Sequence, residues 1–478
     1  MTATARREWQ GSKVAAARSG AFDDLVAFIK GRKGKPFVED FSDFEREFWE
    51  RVRALGRAVF TEELSKADVD AEAIVVEGIV HRRVLRGTET YMTTAGPVVV
   101  ERTLYKDRTD PGARAISAFE SRAGVMAGFW MPLAAQQATW LVAQMTPTLA
   151  REALRRIGMM QPSKSTMDRL PKELSGRWED DRERFEAELR ETITIPEGTH
   201  AIAVSIDGVL APMKDGDAAG VRARTAAEGK QSKGPAGYRE VGCATLTFCD
   251  AQGQQISAIR MARMPEHKKA TLKRSLLAEV LHVLTLGRNL KVVKIADAAG
   301  DNWDFLAGPD LPAGTELVDF FHAAEHLHGA LAAAYGDGTP KTRERFATLR
   351  HLLLDEAGGV EKVIRALHYL RNENPRTPRI AEELAYFRRH RKRMNYAEVK
   401  AQGLPIGSGV VEAACKTLVA QRMKQSGMRW GMEGGQAILS ARGWCQSDRF
   451  DKAWALIAAT YRVQVTTLDN VVPLRRPS

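Results

Sequence analysis

Apolar positions change their period along the chain, and each change marks a different kind of element. Up to about residue 75 they recur every three or four positions: Phe22, Leu25, Val26 and Ile29, then Phe41, Phe44, Phe48, Val52 and Leu55 among Glu and Arg. That spacing lays an apolar stripe along a helix, so 1–75 is predicted as a helical N-terminal region. β-Branched residues take over at 76–112, where VVVERTLY follows the turn residues TTAGP. This predicts a small β-hairpin unit. Helical spacing returns over 113–195. Within it, TLAREALRRIGMMQPSKSTMDRL reads as a helix, a turn at Gly158 and a second helix opened by Ser163 or Ser165. That is the rhythm of a helix-turn-helix DNA-binding domain, and equally of two helices that merely pack.

From about 200 the pattern is mixed. HAIAVSIDG, REVGCATLTFCD and QQISAIRMAR read as three strands, the last two joined by the turn region DAQG. EHKKATLKRSLLAEVLHVL is an amphipathic helix, and LKVVKIAD and TELVDFF are a fourth and a fifth strand. This order predicts an α/β class with a ribonuclease H-like domain, whose first part spans 196–321. Residues 322–400 carry no strand signal and read as an all-helical insertion. After the break QGLPIGSG, a last strong helix, VVEAACKTLVAQRMK, belongs to the second part of the domain at 401–464. Residues 465–478 read as a flexible tail.

Three acids fall where such a fold brings side chains together. Asp207 ends the first strand, Asp297 ends the fourth, and Glu412 opens the late helix. Neighbouring strands lie about 5 Å apart, so two Asp at adjacent strand ends can share a cation, and a Glu in the first turn of a packed helix can close the site. Mg²⁺ prefers hard oxygen ligands, and a pair of such ions about 4 Å apart suits phosphodiester displacement. The expected cofactor is therefore two Mg²⁺ ions, with Mn²⁺ able to substitute. Each acid also has a plain structural explanation. Asp207-Gly208 suits a hairpin turn, Asp297 suits a helix cap, and Glu412 suits a helix N-terminus. Asp301 is a rival to Asp297. It is the combination in this strand order that favours metal binding. GSGVVE matches a dinucleotide fingerprint poorly, because Glu412 stands where the last glycine belongs.

Charge narrows the choice of partner. The 478 residues carry 71 Lys+Arg against 60 Asp+Glu, a net charge of +11. Such an excess favours a polyanion, nucleic acid first. Two segments are candidate phosphate contacts: Arg388, Arg389, Arg391, Lys392 and Arg393 in FRRHRKR, and Lys416, Arg422, Lys424 and Arg429 along the last helix and its continuation. Trp430 suits either base stacking or the core. Four cysteines, Cys243, Cys249, Cys415 and Cys445, form no C-x-x-C pair and are too few for a disulfide scaffold. No apolar run reaches the length of a membrane span or a signal peptide, so a cytoplasmic, nucleoid-associated protein without membrane contact is expected.

Several segments together resemble a known family. SIDG around Asp207, YREV at 238–241, ADAAGDNW at 296–303, VDFFHAAEHL at 318–327 and IGSGVVEAACKTLVAQRMKQSGMRW at 406–430 are similar to bacterial insertion-sequence transposases of the Kra type, relatives of the eukaryotic Mutator-like transposases. The resemblance covers about 200 to 450. It implies a DDE transposase: a ribonuclease H-like catalytic domain with a helical insertion before its final acid. Asp207, Asp297 and Glu412 fall where the family's catalytic, metal-binding acids fall. Asp319-Phe-Phe-His322 resembles the family's C/D-x-x-H motif, which implies active-site support from Asp319 and His322. His322 also suits a core position, and with His326 one turn on, a metal pair. The implied partners are double-stranded DNA, as terminal inverted repeats and as target, and further copies of the chain in a dimer or larger assembly on DNA. Relatives often carry Cys pairs of a zinc unit upstream; ERTLYKDRTDPGAR has none, so no zinc is expected. The alternatives are a domesticated DNA-binding protein that no longer cuts, and a ribonuclease H-like nuclease with other duties.

Overall fold

The computed structural model describes residues 3–468 except 111, 158–159, 215–224, 228 and 230–236, with side chains from residue 14 onward. The protein is mixed α/β, with two five-stranded sheets. It divides into two compact units, one running to Asp180 and resuming at Ala453, the other covering Asp181–Lys452. Among the described residues no helix is long and apolar enough to cross a membrane.

The first unit opens with α1 (Ala3–Lys30) and α2 (Phe41–Ser65). Asp40 starts α2 by accepting the Asp43 N–H at 3.1 Å, which satisfies one of the free donors of a helix start. The rings of Phe28 and Phe44 stack at 5.4 Å across the pair. An antiparallel sheet follows in the order β10-β1-β2-β3-β4. Its strands are β1 (Ala73–Val76), β2 (Ile79–Thr93), β3 (Gly96–Asp107), β4 (Ile116–Ser117) and β10 (Val465–Thr467). The hairpin read from 76–112 is thus the long β2–β3 pair inside a larger sheet. Most of the N-terminal half of β2 is exposed, so it lacks the alternation that marks a strand with one buried face. Residues 465–467, read as flexible tail, pair with β1 (Val465 opposite Val76, Thr467 opposite Ile74). Residues 469–478 of that tail lie outside the described residues. Helices α3 (Ala118–Ala123), α4 (Pro132–Gln144), α5 (Pro147–Ile157) and α6 (Lys164–Asp180) complete the unit. Ser163 Oγ accepts the Thr166 N–H at 3.1 Å and so opens α6 as its sequence predicts. The turn residue Gly158 lies outside the described residues.

The second unit is built on a sheet ordered β7-β6-β5-β8-β9. After α7 (Arg182–Arg190), β5 (Ala201–Pro212), β6 (Tyr238–Cys249) and β7 (Gln255–Arg263) run antiparallel. Helix α8 (Ala270–Leu286) then crosses back, so that β8 (Lys291–Ala296) lies parallel to β5. Short α9 (Gly300–Leu306) precedes β9 (Thr315–Val318), which is parallel to β8. Five helices follow: α10 (Phe320–Tyr335), α11 (Pro340–Asp355), α12 (Gly359–Glu373), α13 (Pro378–His390) and α14 (Tyr396–Ala401). Their buried Phe320, Leu327, Leu367, Leu384 and Phe387 belong to one core with Ile202, Val204, Leu276 and Val293 of the sheet and α8. The helical stretch read as an insertion therefore shares the sheet's core.

A second core contains Val241, Cys243 and Met264 with Val411, Leu418 and Leu439. It is formed by α15 and by α16 (Met432–Gln446). Helix α15 starts as Gly409–Ala414, widens to a π-helical turn over Cys415–Ala420 and closes at Gln421–Met423. Helix α16 covers the outer strand: Ser447 Oγ, just past its end, accepts the Arg260 N–H at 2.8 Å, and Gln436 Oε1 the Met264 N–H at 3.0 Å. An edge strand otherwise leaves such donors open. The last helix, α17, spans Phe450–Ala459.

Candidate active site

Strand register builds the site. The β5–β8 pairing ends with Val204 opposite Lys294, and the β8–β9 pairing with Ala296 opposite Val318. Extending both by the same count sets Asp207 level with Asp297, and Asp297 level with Asp319. Three acids thus form one row where the parallel strands end, the usual place for a site in an α/β sheet. Asp207 does not end its strand, as its sequence suggests, because β5 runs on to Pro212 paired with β6. Side chains alternate along β5, so Asp207 faces with Val209 toward the α15 side.

Each acid is held differently. Asp207 Oδ1 accepts the N–H of Gly208 at 2.7 Å, and the Cys415 thiol lies 3.5 Å from Oδ2. Burial pushes its carboxyl above the ordinary range; the Gly208 N–H opposes this and Asp297 adds to it. Asp297 Oδ1 accepts from the Ala299 N–H and from Asn302 Nδ2, both at 3.1 Å, so it does brace the start of α9 as well. Its main-chain oxygen accepts from Trp303 Nε1 at 2.6 Å. Asp319 is fully buried and caps α10, accepting the His322 N–H at 2.8 Å. That cap fixes the Asp-x-x-His spacing, because the capped N–H lies three residues on. The second oxygen of Asp319 accepts the Ser408 N–H. Gly407 allows this approach, since a Cβ there would meet Phe321 at 2.9 Å.

The Asp319–Ser408 contact brings in the last acid. Ser408 precedes α15, and its Oγ lies 3.3 Å from Glu412 Oε1. His322 Nε2 stands 3.7 Å from the same oxygen. Burial raises the Glu412 carboxyl and Asp319 adds to that, while His322 pulls it back. Among the described residues, one group of possible ligand atoms lies within 4.8 Å of one another: those of Asp319, His322 and Glu412. The expected trio Asp207, Asp297 and Glu412 does not converge that tightly. The π-helical turn of α15 begins three residues after Glu412, at Cys415, the residue that touches Asp207. Such widened turns are frequent at functional sites.

One contributor had no clear sequence signal. Lys269 sits in the turn before α8, where both it and Lys268 have left-handed backbone (φ 54° and 50°). Its ammonium lies 2.8 Å from Glu240 and 3.2 Å from Asn302 Oδ1, which holds Asp297. It also pulls the Asp207 carboxyl down slightly. Gly208 leaves room for Glu240, whose side chain crosses the space a Cβ would fill. A left-handed pair of lysines costs on the order of 1–3 kcal/mol per residue and is tolerated where the surroundings hold it.

The basic residues separate into two groups. Arg388, Arg389, Arg391 and Lys392 at the end of α13 are exposed, as are Lys416, Lys424 and Arg429. Arg393 is tied to Glu316 at 2.8 Å and lies 4.0 Å over the Trp303 ring. Arg422, expected to meet phosphate, is 2% exposed and packs under Trp430 at 5.1 Å. The π-helical turn rotates the helix end, and this position turns into the core. Trp430 is anchored by Nε1 to the Met423 carbonyl at 3.0 Å and by main-chain bonds to Pro212 and Lys214. No family model and no curated protein matches this chain.

Asp207, Asp297 and Glu412 offer carboxylate oxygens, the donor type that a hard divalent cation prefers, and Lys269 places a partly buried ammonium beside Glu240 and Asn302.

Proposed function

We propose that the protein is a DDE-type DNA transposase that cuts and rejoins DNA at the ends of a mobile element. The observation that carries this reading is the register that levels Asp207 with Asp297 across β5 and β8, with Glu412 held over the row through Asp319 and Ser408. The strand order β7-β6-β5-β8-β9, three antiparallel strands followed by two parallel ones, supports a ribonuclease H-like fold.

Asp207, Asp297 and Glu412 would hold two Mg²⁺ or Mn²⁺ ions, which supply electrophilic help to the attacking and leaving oxygens of an in-line displacement. The residues themselves fix geometry. Gly208 N–H and the Cys415 thiol orient Asp207; Ala299 N–H and Asn302 orient Asp297; Ser408 and His322 orient Glu412. In the first step a water oxygen bonds to phosphorus and the P–O3′ bond breaks, giving a 3′-hydroxyl and a 5′-phosphate. In the second, that 3′-oxygen bonds to a target phosphorus, the target P–O3′ bond breaks, and the proton passes to the departing 3′-oxygen. No net phosphodiester is lost in the second step. The exposed Arg388, Arg389, Arg391 and Lys392, with Lys416, Lys424 and Arg429, supply salt-dependent contacts to the DNA backbone. Assembly of two or more copies on paired ends belongs to the same reading.

The test is cleavage of duplexes bearing the sequences that flank the coding region, with Mg²⁺, Mn²⁺ or chelator. Asp207→Asn, Asp297→Asn and Glu412→Gln should each lower the rate by on the order of 10³-fold or more, about 4 kcal/mol of barrier. Full cleavage by Asp207→Asn would sink the proposal.

A further inference from the structure

The hydroxyl of Tyr386 is a buried polar atom without a partner, within electrostatic reach of Asp297 and Asp319. Tyr386 lies on α13, and its ring stacks on that of His326 with centroids 3.6 Å apart and planes within 19°. His326 is itself fixed, because its Nδ1 lies 2.6 Å from Glu383 Oε2. Along α10, Asp319, His322 and His326 are spaced by three and four residues and share one helical face. Tyr386 therefore stands one turn beyond His322, the residue that reaches Glu412.

The Tyr386 oxygen is buried and has no hydrogen-bond partner. A buried hydroxyl without a partner is costly, and a native structure keeps one where something else supplies the bond. The nearby carboxylates have other partners, Glu383 with His326 and Arg379 among them. Both oxygens of Asp319 already accept backbone N–H groups, from His322 and Ser408, and Asp297 Oδ1 accepts two more. Burial, and then Asp297 and Asp319, hold the phenol well above its usual range, so at neutral pH it is a donor. What the position lacks is an anionic acceptor arriving from outside.

We propose that Tyr386 donates its O–H to a non-bridging oxygen of the phosphate bound at the carboxylate row. This rests on the phosphodiester reading above and makes Tyr386 a catalytic residue that touches the substrate. It forms and breaks no covalent bond and keeps its proton. Its effect is to stabilise charge that grows on that oxygen in the displacement. A donor fixed by stacking needs no reorientation as the charge develops.

Tyr386→Phe removes only the oxygen and keeps the ring on His326. Wild type, Tyr386→Phe and Asp207→Asn are compared on the duplex with the flanking sequence, reading single-turnover cleavage, DNA affinity and melting temperature. Tyr386→Phe should cut slower by on the order of 10²-fold, as expected for one lost donor to a developing charge. Its DNA affinity should be unchanged and its melting temperature no lower. Wild-type cleavage by Tyr386→Phe, while Asp207→Asn is inactive, overturns the proposal and leaves the transposase reading standing. A rate lost together with melting temperature overturns it too, because that marks a structural role. Absence of cleavage by the wild type sinks both.

Discussion

Glu279 on α8 and Asp207 on β5 are both carboxyls raised above their ordinary range, in each case chiefly by burial. Their surroundings then diverge. Glu279 meets a guanidinium, Arg449 Nη1, at 2.9 Å, and the two side chains are 7% and 8% exposed. Asp207 meets a second acid, Asp297, which raises it further, while Lys269 contributes the weakest of its opposing pulls. The first arrangement neutralises itself within the chain. The second leaves negative charge that no ion pair among the described residues matches, and it lies where the parallel pairing of β5 with β8 ends. Burial alone therefore does not separate the two acids; what sets Asp207 apart is its place beside a second acid in register.

The comparison is broken most directly by exchanging the two effects. Asp207→Asn, the variant expected to lose cleavage, should leave the melting temperature equal or higher, because it relieves repulsion with Asp297. Arg449→Met should do the opposite. It leaves Glu279 buried without its partner, at a cost of about 3–5 kcal/mol, which lowers melting by on the order of 10 °C. The double variant Glu279→Leu with Arg449→Met should recover most of that loss, since apolar pairs replace buried ion pairs well. A double variant as unstable as Arg449→Met alone would show that the pair does more than neutralise itself.

Divalent cations sharpen the contrast at the next scale. Mn²⁺ at about 100 times its dissociation constant should stabilise the wild type by about 2.7 kcal/mol, a rise of several degrees in differential scanning calorimetry. Asp297→Asn should lose most of this rise, and Arg449→Met should keep it. A wild type whose melting ignores Mn²⁺ and Mg²⁺ would end the claim that the row is a cation site.

Much of this was legible in the sequence, for identifiable reasons. The strands around Asp207 and Asp297 are apolar runs that reach an acid, and their burial makes such runs conspicuous, although β5 itself continues past Asp207 to Pro212. Ser163 announces a helix start by its chemistry, whereas Asp319, read as part of the fifth strand, caps α10 instead. Four things were hidden. The half-exposed β2 has no alternation to read. Arg422 follows a π-helical turn, and that turn shifts the helical phase by which its exposure would be judged. Lys269 and Tyr386 owe their place to tertiary packing, a left-handed turn for one and a helix that returns over α10 for the other. No local pattern encodes either.

The smallest effect tests the electrostatics itself. Asp207 and Glu412 have folded-state values raised above the unfolded ones, chiefly by burial. For a raised carboxyl, folding favours the protonated form. The stability it contributes is complete below the unfolded value, near 4, and is lost as pH climbs through the folded value. In chelator, the melting temperature of the wild type should therefore carry a component that falls as pH rises from 4 upward. Asp207→Asn should remove the share due to Asp207, so the difference between wild type and variant should shift in the variant's favour as the pH rises. Saturating Mn²⁺ should suppress that component, because a cation stabilises the ionised acids. If the two proteins keep a constant difference between pH 4 and 8 in chelator, the charge at Asp207 is matched after all, and its likeness to Glu279 outweighs the contrast.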